Sequence, residues 1–502
     1  MLLAFALSPF LVLGAGALLL MLAEAFASPA KGRRGIDADE SANGIALGTT
    51  IVFLAGGAFA GGIWMYGIDN IDGLATVAPW LLIDRFTVFF EMLLCLGGAF
   101  AALLAGGYLP EHNLNRGEFY ALLIFSTIGA MMLAAAGDLL TIFLGLETMS
   151  LGAYAMTAFR RTSARSTEAG LKYFLLGSFA AAVLLYGFAL LYGVTGHTDL
   201  AGIGQSLASG SARSPLAILA LALVLVGLIF KVSAVPFHMW TPDAYEGAPT
   251  PATTYMAVAV KSAAFAMMLR VLLTSFGSGG WISWSSGWPP VIAWVSVVTM
   301  TVANLIAGRQ DSVKRMLAYS SIAHAGYLLI GVVACSRSPQ ATGAILFYLV
   351  AYTASTAGAF GALILCGSRG AEAVSYEDLA GIGRRHPAAA LPFALFLLSL
   401  AGIPPTAGFF GKWFIFRSAI DGGFYILAII ALLNSVVGVY YYLRVLVFMY
   451  MREPAAGAAI AKPMRSGYVT TALLIAAILV LVLGVTPSST LDVAQAAAAM
   501  PG

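Results

Sequence analysis

Among 502 residues there are only seven lysines, and four of them, Lys172, Lys231, Lys261 and Lys412, fall inside long apolar runs. A lysine at the centre of a membrane span costs ~2.5–3.5 kcal/mol on the milder insertion scale, so four cost on the order of 10 kcal/mol. Partners, water or neutralisation must offset that cost. An amine in such surroundings loses its proton readily and regains it when a carboxylate approaches, which is the chemistry of a proton carrier. Arginine keeps its proton and would block such a path. The nineteen arginines stand mostly at the edges of the apolar runs, a distribution that favours titration over fixed charge.

One carboxylate belongs with these lysines. Glu147 lies mid-run in the stretch DLLTIFLGLETMS, residues 138–150. Desolvation drives a lone membrane carboxylate neutral, whereas an adjacent ammonium holds it charged, so a Glu147–Lys231 pair across two helices satisfies both. Such a pair reads either as a structural salt bridge or as a functional couple. Lys261 is too deep in its run to snorkel. Lys231 precedes Pro236, and Lys412 follows Pro405, so both can use carbonyls freed where proline breaks a helix. Lys172 lies one turn into its run near Glu168 and reads equally as a snorkelling side chain. His324 is a relay candidate by its near-neutral titration or a packing histidine, and His238 lies just beyond Pro236 at the mouth of a break. Glu91 is expected near the outer membrane edge, paired with Arg85 or water, and Arg444 is expected to snorkel.

The elements that position these groups follow from composition. Apolar residues make up 60% of the chain and charged residues 10%, whereas a soluble protein carries roughly 25% charged residues. Mean hydropathy is +0.90. Runs of this length must be membrane helices, because a backbone in lipid has to satisfy its amides within its own segment. The short alternating strands of a membrane barrel are absent. The first run is read as a helix, since it is too long for a signal peptide and lacks a basic stretch before it. An all-α membrane protein of about 14 transmembrane helices is expected, with spans near 2–24, 44–65, 82–107, 117–135, 139–158, 168–193, 215–237, 252–274, 290–308, 316–334, 341–366, 388–417, 423–450 and 467–486. With the N-terminus outside, sixteen Lys and Arg fall on the inner side and five on the outer, which sets both termini on the outer, periplasmic face of a bacterial inner membrane. The inner connection 367–387 is expected either to dock a neighbouring subunit or to be plain solvated loop.

Two spans carry their own interruption, one at Pro236 and one at Pro404–Pro405 flanked by Gly402 and Gly408. Interrupted spans at corresponding positions of two halves point to inverted repeats with a transport path at the breaks. The expected organisation is three N-terminal helices in 1–116, a five-helix unit in 117–275, an inverted five-helix unit in 290–450 and a last helix in 451–502. Each unit has its broken helix in fourth position. A net charge of +3 gives no reason to expect nucleic acid. Cys95, Cys335 and Cys366 stand apart, without a CxxC pair, a GxGxxG turn or a Walker loop. The chain is therefore expected to bind no iron–sulfur cluster, zinc, nucleotide or flavin.

Residues 230–249 (FKVSAVPFHMWTPDAYEGAP), followed by Lys261, and residues 314–327 (KRMLAYSSIAHAGY) resemble the antiporter-like subunits of respiratory complex I and of multisubunit cation/proton antiporters. Within that family, GIPPTAGFFGK at 402–412 and EAGLKYFLLGS at 168–178 resemble subunit N of the bacterial NADH:quinone oxidoreductase. The resemblance implies a proton-translocating membrane-arm subunit, with Glu147 and Lys231 as coupling pair, Lys261 as central relay and Lys412 as the lysine of the second half-channel. It implies that NADH, FMN, iron–sulfur clusters and quinone belong to partner subunits. Those partners would be other membrane-arm subunits, further antiporter-like ones among them, with lipid around the rest. No carboxylate in 316–334 corresponds to Glu147, so the two halves are not chemically symmetric. A subunit of a Na⁺/H⁺ antiporter shares the lysines and breaks, although the stretches 168–178 and 402–412 lean against it. A non-transporting membrane scaffold has no use for four membrane lysines.

Overall fold

The computed structural model describes residues 2–27, 36–208, 214–367, 372–454 and 461–498. Lys31, Arg33, Arg34, Arg213 and Arg369, which enter the charge asymmetry, lie outside the described residues. Twelve described helices are long and apolar enough to cross a membrane. They are α1 (Ser8–Ala27), α2 (Ile36–Tyr66), α3 (Arg85–Glu111), α4 (Glu118–Ala135), α5 (Leu139–Thr157), α6 (Ala164–Thr195), α9 (Thr250–Ser275), α10 (Pro289–Ala307), α11 (Val313–Ala334), α12 (Ala341–Cys366), α15 (Tyr425–Met451) and α16 (Gly467–Val485). Four shorter helices form the two broken spans, α7 (Pro215–Lys231) with α8 (Trp240–Gly247), and α13 (Pro387–Ala401) with α14 (Ala407–Asp421). Counting each broken pair as one crossing gives the fourteen expected. Each pair follows three unbroken helices and precedes one more.

Helix starts are written in short polar residues. Asp84, Asp138, Ser163, Ser214, Ser312 and Ser466 cap α3, α5, α6, α7, α11 and α16, each side chain accepting from a first-turn amide that has no partner within the helix. The helices differ sharply in burial. In α9 and α11, 94% of the apolar window lies inside the protein, against 22% for α1. α9 and α11, which carry Lys261 and Lys314, are therefore shielded from lipid by their neighbours. In both five-helix stretches the first two helices touch backbone to backbone. A Cβ on Gly129 would meet the Met149 amide nitrogen at 2.4 Å, and one on Gly326 would meet that of Met300 at 2.8 Å. Ser126 and Ser296 each donate 2.7 Å across these seams, to the Met149 and Gly326 carbonyls. Small residues permit this approach, and dispersion then holds helices that lipid cannot drive together.

Two expectations need correction. The connection after α12 is not a plain solvated loop over its described part. Tyr376, Leu379 and Ile382 are buried against the chain's own inner ends, and Glu372 receives hydrogen bonds from Tyr108 and from Thr250 (2.7 Å) and pairs with Lys314 at 3.1 Å. Lys314, in the first turn of α11, is buried and also donates to the Ala248 carbonyl at 2.8 Å. Glu91 is not an interface residue. It is fully buried in α3 with neither carboxylate oxygen hydrogen-bonded, while Arg85 turns to the Trp64 ring at 5.8 Å. Arg85 sits at the exposed start of α3, whereas Glu91 falls on the face packed inside the bundle.

Candidate functional site

Lys231, Lys261 and Lys412 are all buried, and the same two kinds of partner surround each ammonium. Lys231 ends α7 and donates to the Ser150 hydroxyl at 2.7 Å, 5.9 Å from the Tyr173 ring centre. Lys261 donates to the Ser321 carbonyl at 2.6 Å and to the Ser321 hydroxyl, 5.9 Å from the Tyr352 ring. Lys412 donates to the Ser435 hydroxyl at 3.0 Å and to the Ala401 carbonyl at 2.9 Å, 5.3 Å from the Tyr327 ring. A hydroxyl accepts a hydrogen bond and the face of a ring attracts a cation, so each ammonium is solvated by neutral groups. No carboxylate among the described residues lies within 4.0 Å of any of the three.

The local backbone explains how such positions arise. α13 ends in Gly402 at φ +85°, a left-handed geometry that costs any side chain with a Cβ. The chain thereby turns out of the helix, and the Ala401 carbonyl is left for Lys412, whose Cδ would lie only 2.9 Å from a Cβ at position 402. At the first break, the Trp240 indole donates to the Phe230 carbonyl at 3.3 Å, and the Val235 amide donates to Thr299 at 3.0 Å. Two main-chain groups at the break are thus satisfied from α8 and α10. Lys261 directly follows a turn of π-helix, Met256–Val260. That wider turn rotates everything after it relative to a regular helix, and such turns collect at functional sites.

His324 is buried between two of the lysines. Its Nδ1 is 2.6 Å from the Tyr348 hydroxyl and its Nε2 3.1 Å from that of Tyr442, which in turn meets Ser320. Its ring centre lies 5.1 Å from that of Tyr352, beside Lys261, and 5.7 Å from that of Tyr327, beside Lys412. A cavity of about 10 Å³ touches His324, Tyr352, Ser355 and Ser399, and another of about 10 Å³ touches Lys231, Ser150 and Tyr154. Each has room for roughly one water.

The remaining expected residues fall differently. Glu147 is half-buried on α5, one turn before Ser150. No ion pair joins it to Lys231 within 4.0 Å, because Ser150 takes the ammonium instead. Lys172 stands apart from the buried lysines. It is largely solvent-accessible and pairs with Glu168 at 2.8 Å and Asp243 at 2.9 Å, at the edge of a charged cluster with Arg165, Glu246 and Arg315. His238 is half-buried beyond the first break. Arg444 donates to the Gly308 and Gln310 carbonyls at 3.1 Å.

Sequence reasoning missed two groups. Arg270, taken for an edge residue, is buried and grips Asp84 with two hydrogen bonds of 2.6 and 2.7 Å, Thr87 at 2.8 Å and the Ala134 carbonyl at 3.1 Å. The other is the Tyr108–Glu372–Lys314 cluster. Neither has a local signal, since their members lie 58 to 264 positions apart.

Comparison with known proteins adds three findings. A family model described as NADH:quinone oxidoreductase/Mrp antiporter, TM, matches residues 136–438. NADH-quinone oxidoreductase subunit N 1 of Sorangium cellulosum is 66% identical over 494 residues, covering 97% of both chains, and subunit N of Trichlorobacter lovleyi is 44% identical, covering 85% of this chain and 88% of its own. A chain of respiratory complex I from Thermus thermophilus with bound aureothin superimposes with a TM-score of 0.78 at 33% identity, covering 96% of this chain and 98% of that one. A chain of the Mrp complex from Dietzia, at 22% identity and a TM-score of 0.82, shares the fold.

Proposed function

This chain belongs to the NADH:quinone oxidoreductase/Mrp antiporter transmembrane family, and from that premise we propose that Glu147, Lys231, Lys261, His324 and Lys412 form its proton path. It is a proton-translocating membrane-arm subunit of NADH:quinone oxidoreductase, matching subunit N over nearly its full length. NADH, FMN, iron–sulfur clusters and quinone are assigned to partner subunits, and the chain's task is to bind, hold and pass protons. Its neighbours are other membrane-arm subunits of the antiporter-like kind, and lipid. It sits in the inner membrane with both termini periplasmic, its units 117–275 and 290–450 being inverted repeats flanked by 1–116 and 451–502.

The observation that carries the relay is the threefold recurrence of one environment, a buried ammonium on a serine hydroxyl beside a tyrosine ring with no carboxylate in contact. An ammonium solvated by neutral partners is free to lose its proton, whereas one locked in an ion pair is not. At the first station, Lys231 exchanges Ser150 for Glu147, which lies on the same face of α5 one turn away. Engaging Glu147 holds the ammonium charged, and returning to Ser150 releases its proton toward Lys261. His324, hydrogen-bonded at both nitrogens, links Lys261 to Lys412. His238 lines the mouth of the first break, and Lys172 gathers protons at the surface.

Lys231→Arg tests titration against static charge. A guanidinium still binds a carboxylate but does not release a proton, so the variant is expected to assemble and to lose most coupled turnover. Glu147→Gln removes the partner with little change in volume and should alter the pH dependence of turnover. Wild-type pumping by Lys231→Arg would eliminate the titrating-lysine mechanism.

A further inference from the structure

An open groove of about 470 Å³ lies on the outside of α10 and α15, and no lysine lines it. Its floor is Val297 and Ile430, its walls are Trp294 and Tyr425, and its head is Trp284 and Arg337. Trp294 is 72% and Tyr425 62% exposed, so the described residues leave this surface uncovered. From Pro290 to Val297 the groove follows α10 inward for about 10 Å, at 1.5 Å per residue.

The head carries unneutralised positive charge. The Arg337 guanidinium lies 4.9 Å from the Phe424 ring centre, and no described carboxylate is within 4.0 Å of it. Asp421, the last residue of α14, faces Arg417 one turn back at 3.8 Å. α15 begins beside the guanidinium with no side-chain cap, so its first-turn amides add the positive end of a helix. Tryptophan and tyrosine at this depth belong to the boundary between headgroups and acyl chains. We infer that this groove is a binding site for one anionic glycerophospholipid. Its phosphate lies against Arg337 and the start of α15, and one acyl chain runs along Trp294, Val297 and Ile430. A zwitterionic lipid would bring its own ammonium to the same head and forfeit the charge match.

The test uses the intact complex in detergent and a phosphatidylglycerol carrying a diazirine in mid-chain. Irradiation and peptide mapping should label 289–300 and 425–432. Excess phosphatidylglycerol should remove the label, while phosphatidylcholine and inorganic phosphate should not. Arg337→Gln should weaken labelling about fivefold, the weight of one surface cation toward an anionic headgroup, and Arg337→Lys should restore most of it. Equal competition by phosphatidylcholine would mean an ordinary lipid annulus and would overturn the proposal. Displacement by inorganic phosphate would mean a free-anion site, and no label in the intact complex would mean that another subunit covers the groove; either overturns it as well. The competition arms need only the wild-type complex, so they decide the matter even where a variant fails to assemble.

Discussion

Replacing Lys261 separates the cost of a buried charge from its use. In Lys261→Ala the Ser321 carbonyl and hydroxyl lose a charged donor at hydrogen-bond distance, a loss of ~1–3 kcal/mol. The ring contact with Tyr352 is worth a further ~0.5–2 kcal/mol. Against these losses, removing a lysine from the middle of a span relieves ~2.5–3.5 kcal/mol. The terms nearly cancel, so the complex should assemble at close to its normal level. Turnover has no such offset, because a positioned acid–base group contributes ~10²–10⁴-fold to the step it serves. Pumping and quinone reduction should fall together by at least ~10²-fold. The assay is NADH oxidation by inverted membrane vesicles, read alongside quenching of a dye that reports the proton gradient. Lys261→Arg sharpens it, since it keeps the charge and much of the reach but holds its proton. Normal pumping by either variant in a normally assembled complex refutes the reasoning.

Gly402→Ala should disturb Lys412 without touching it. The left-handed backbone costs the alanine ~1–2 kcal/mol, and its Cβ would stand 2.9 Å from the Lys412 Cδ, so a lowered melting temperature with reduced pumping is expected, and unchanged pumping would sink the positional argument. Glu372→Gln leaves Lys314 buried without its anion and should cost ~3 kcal/mol in thermal stability. Burial alone would raise the Glu372 carboxyl, yet the Lys314 ammonium and the Tyr108 and Thr250 hydrogen bonds hold it down at about 2. This stabilisation is therefore whole above the ~4.3 of a free glutamate and fades as pH falls toward about 2, so wild type and variant should converge in acid; a gap independent of pH would contradict that assignment. For topology, cysteine at Ser285 should react with an impermeant reagent added from the periplasmic side and cysteine at Lys462 only from the cytoplasmic side, both positions being exposed. The reverse pattern would invert the orientation. The loop 28–39, an obvious third probe, lies largely outside the described residues.

Hydropathy and proline determined most of the architecture. The fourteen expected spans match the twelve long helices and two broken pairs one for one, although α2 begins at Ile36 rather than 44 and the first broken pair ends at Gly247 rather than 237, because the length of an apolar run in lipid leaves one backbone solution. The breaks were legible for a similar reason, since proline removes a donor wherever it stands. The types and spacing of Lys231, Lys261 and Lys412 were likewise readable, because a charge in an apolar run is conspicuous whatever surrounds it.

The surroundings were not readable. That each ammonium rests on a serine beside a tyrosine depends on which faces of α5, α11, α12 and α15 turn inward, and hydroxyls in an apolar helix look alike until packing selects among them. Packing also set the partners of Lys172 and His324. The first belongs to a surface ion cluster because α8 presents Asp243 to it, and the second is held by two tyrosines from different helices. The burial and pairing of Arg270 and Lys314, both near helix ends, were missed because their partners Asp84 and Glu372 lie far away in sequence. Span lengths and breaks are local consequences of backbone chemistry in lipid, so the sequence alone reveals them. The partners of a buried charge are set by contacts between distant helices, which exist only once the bundle has closed.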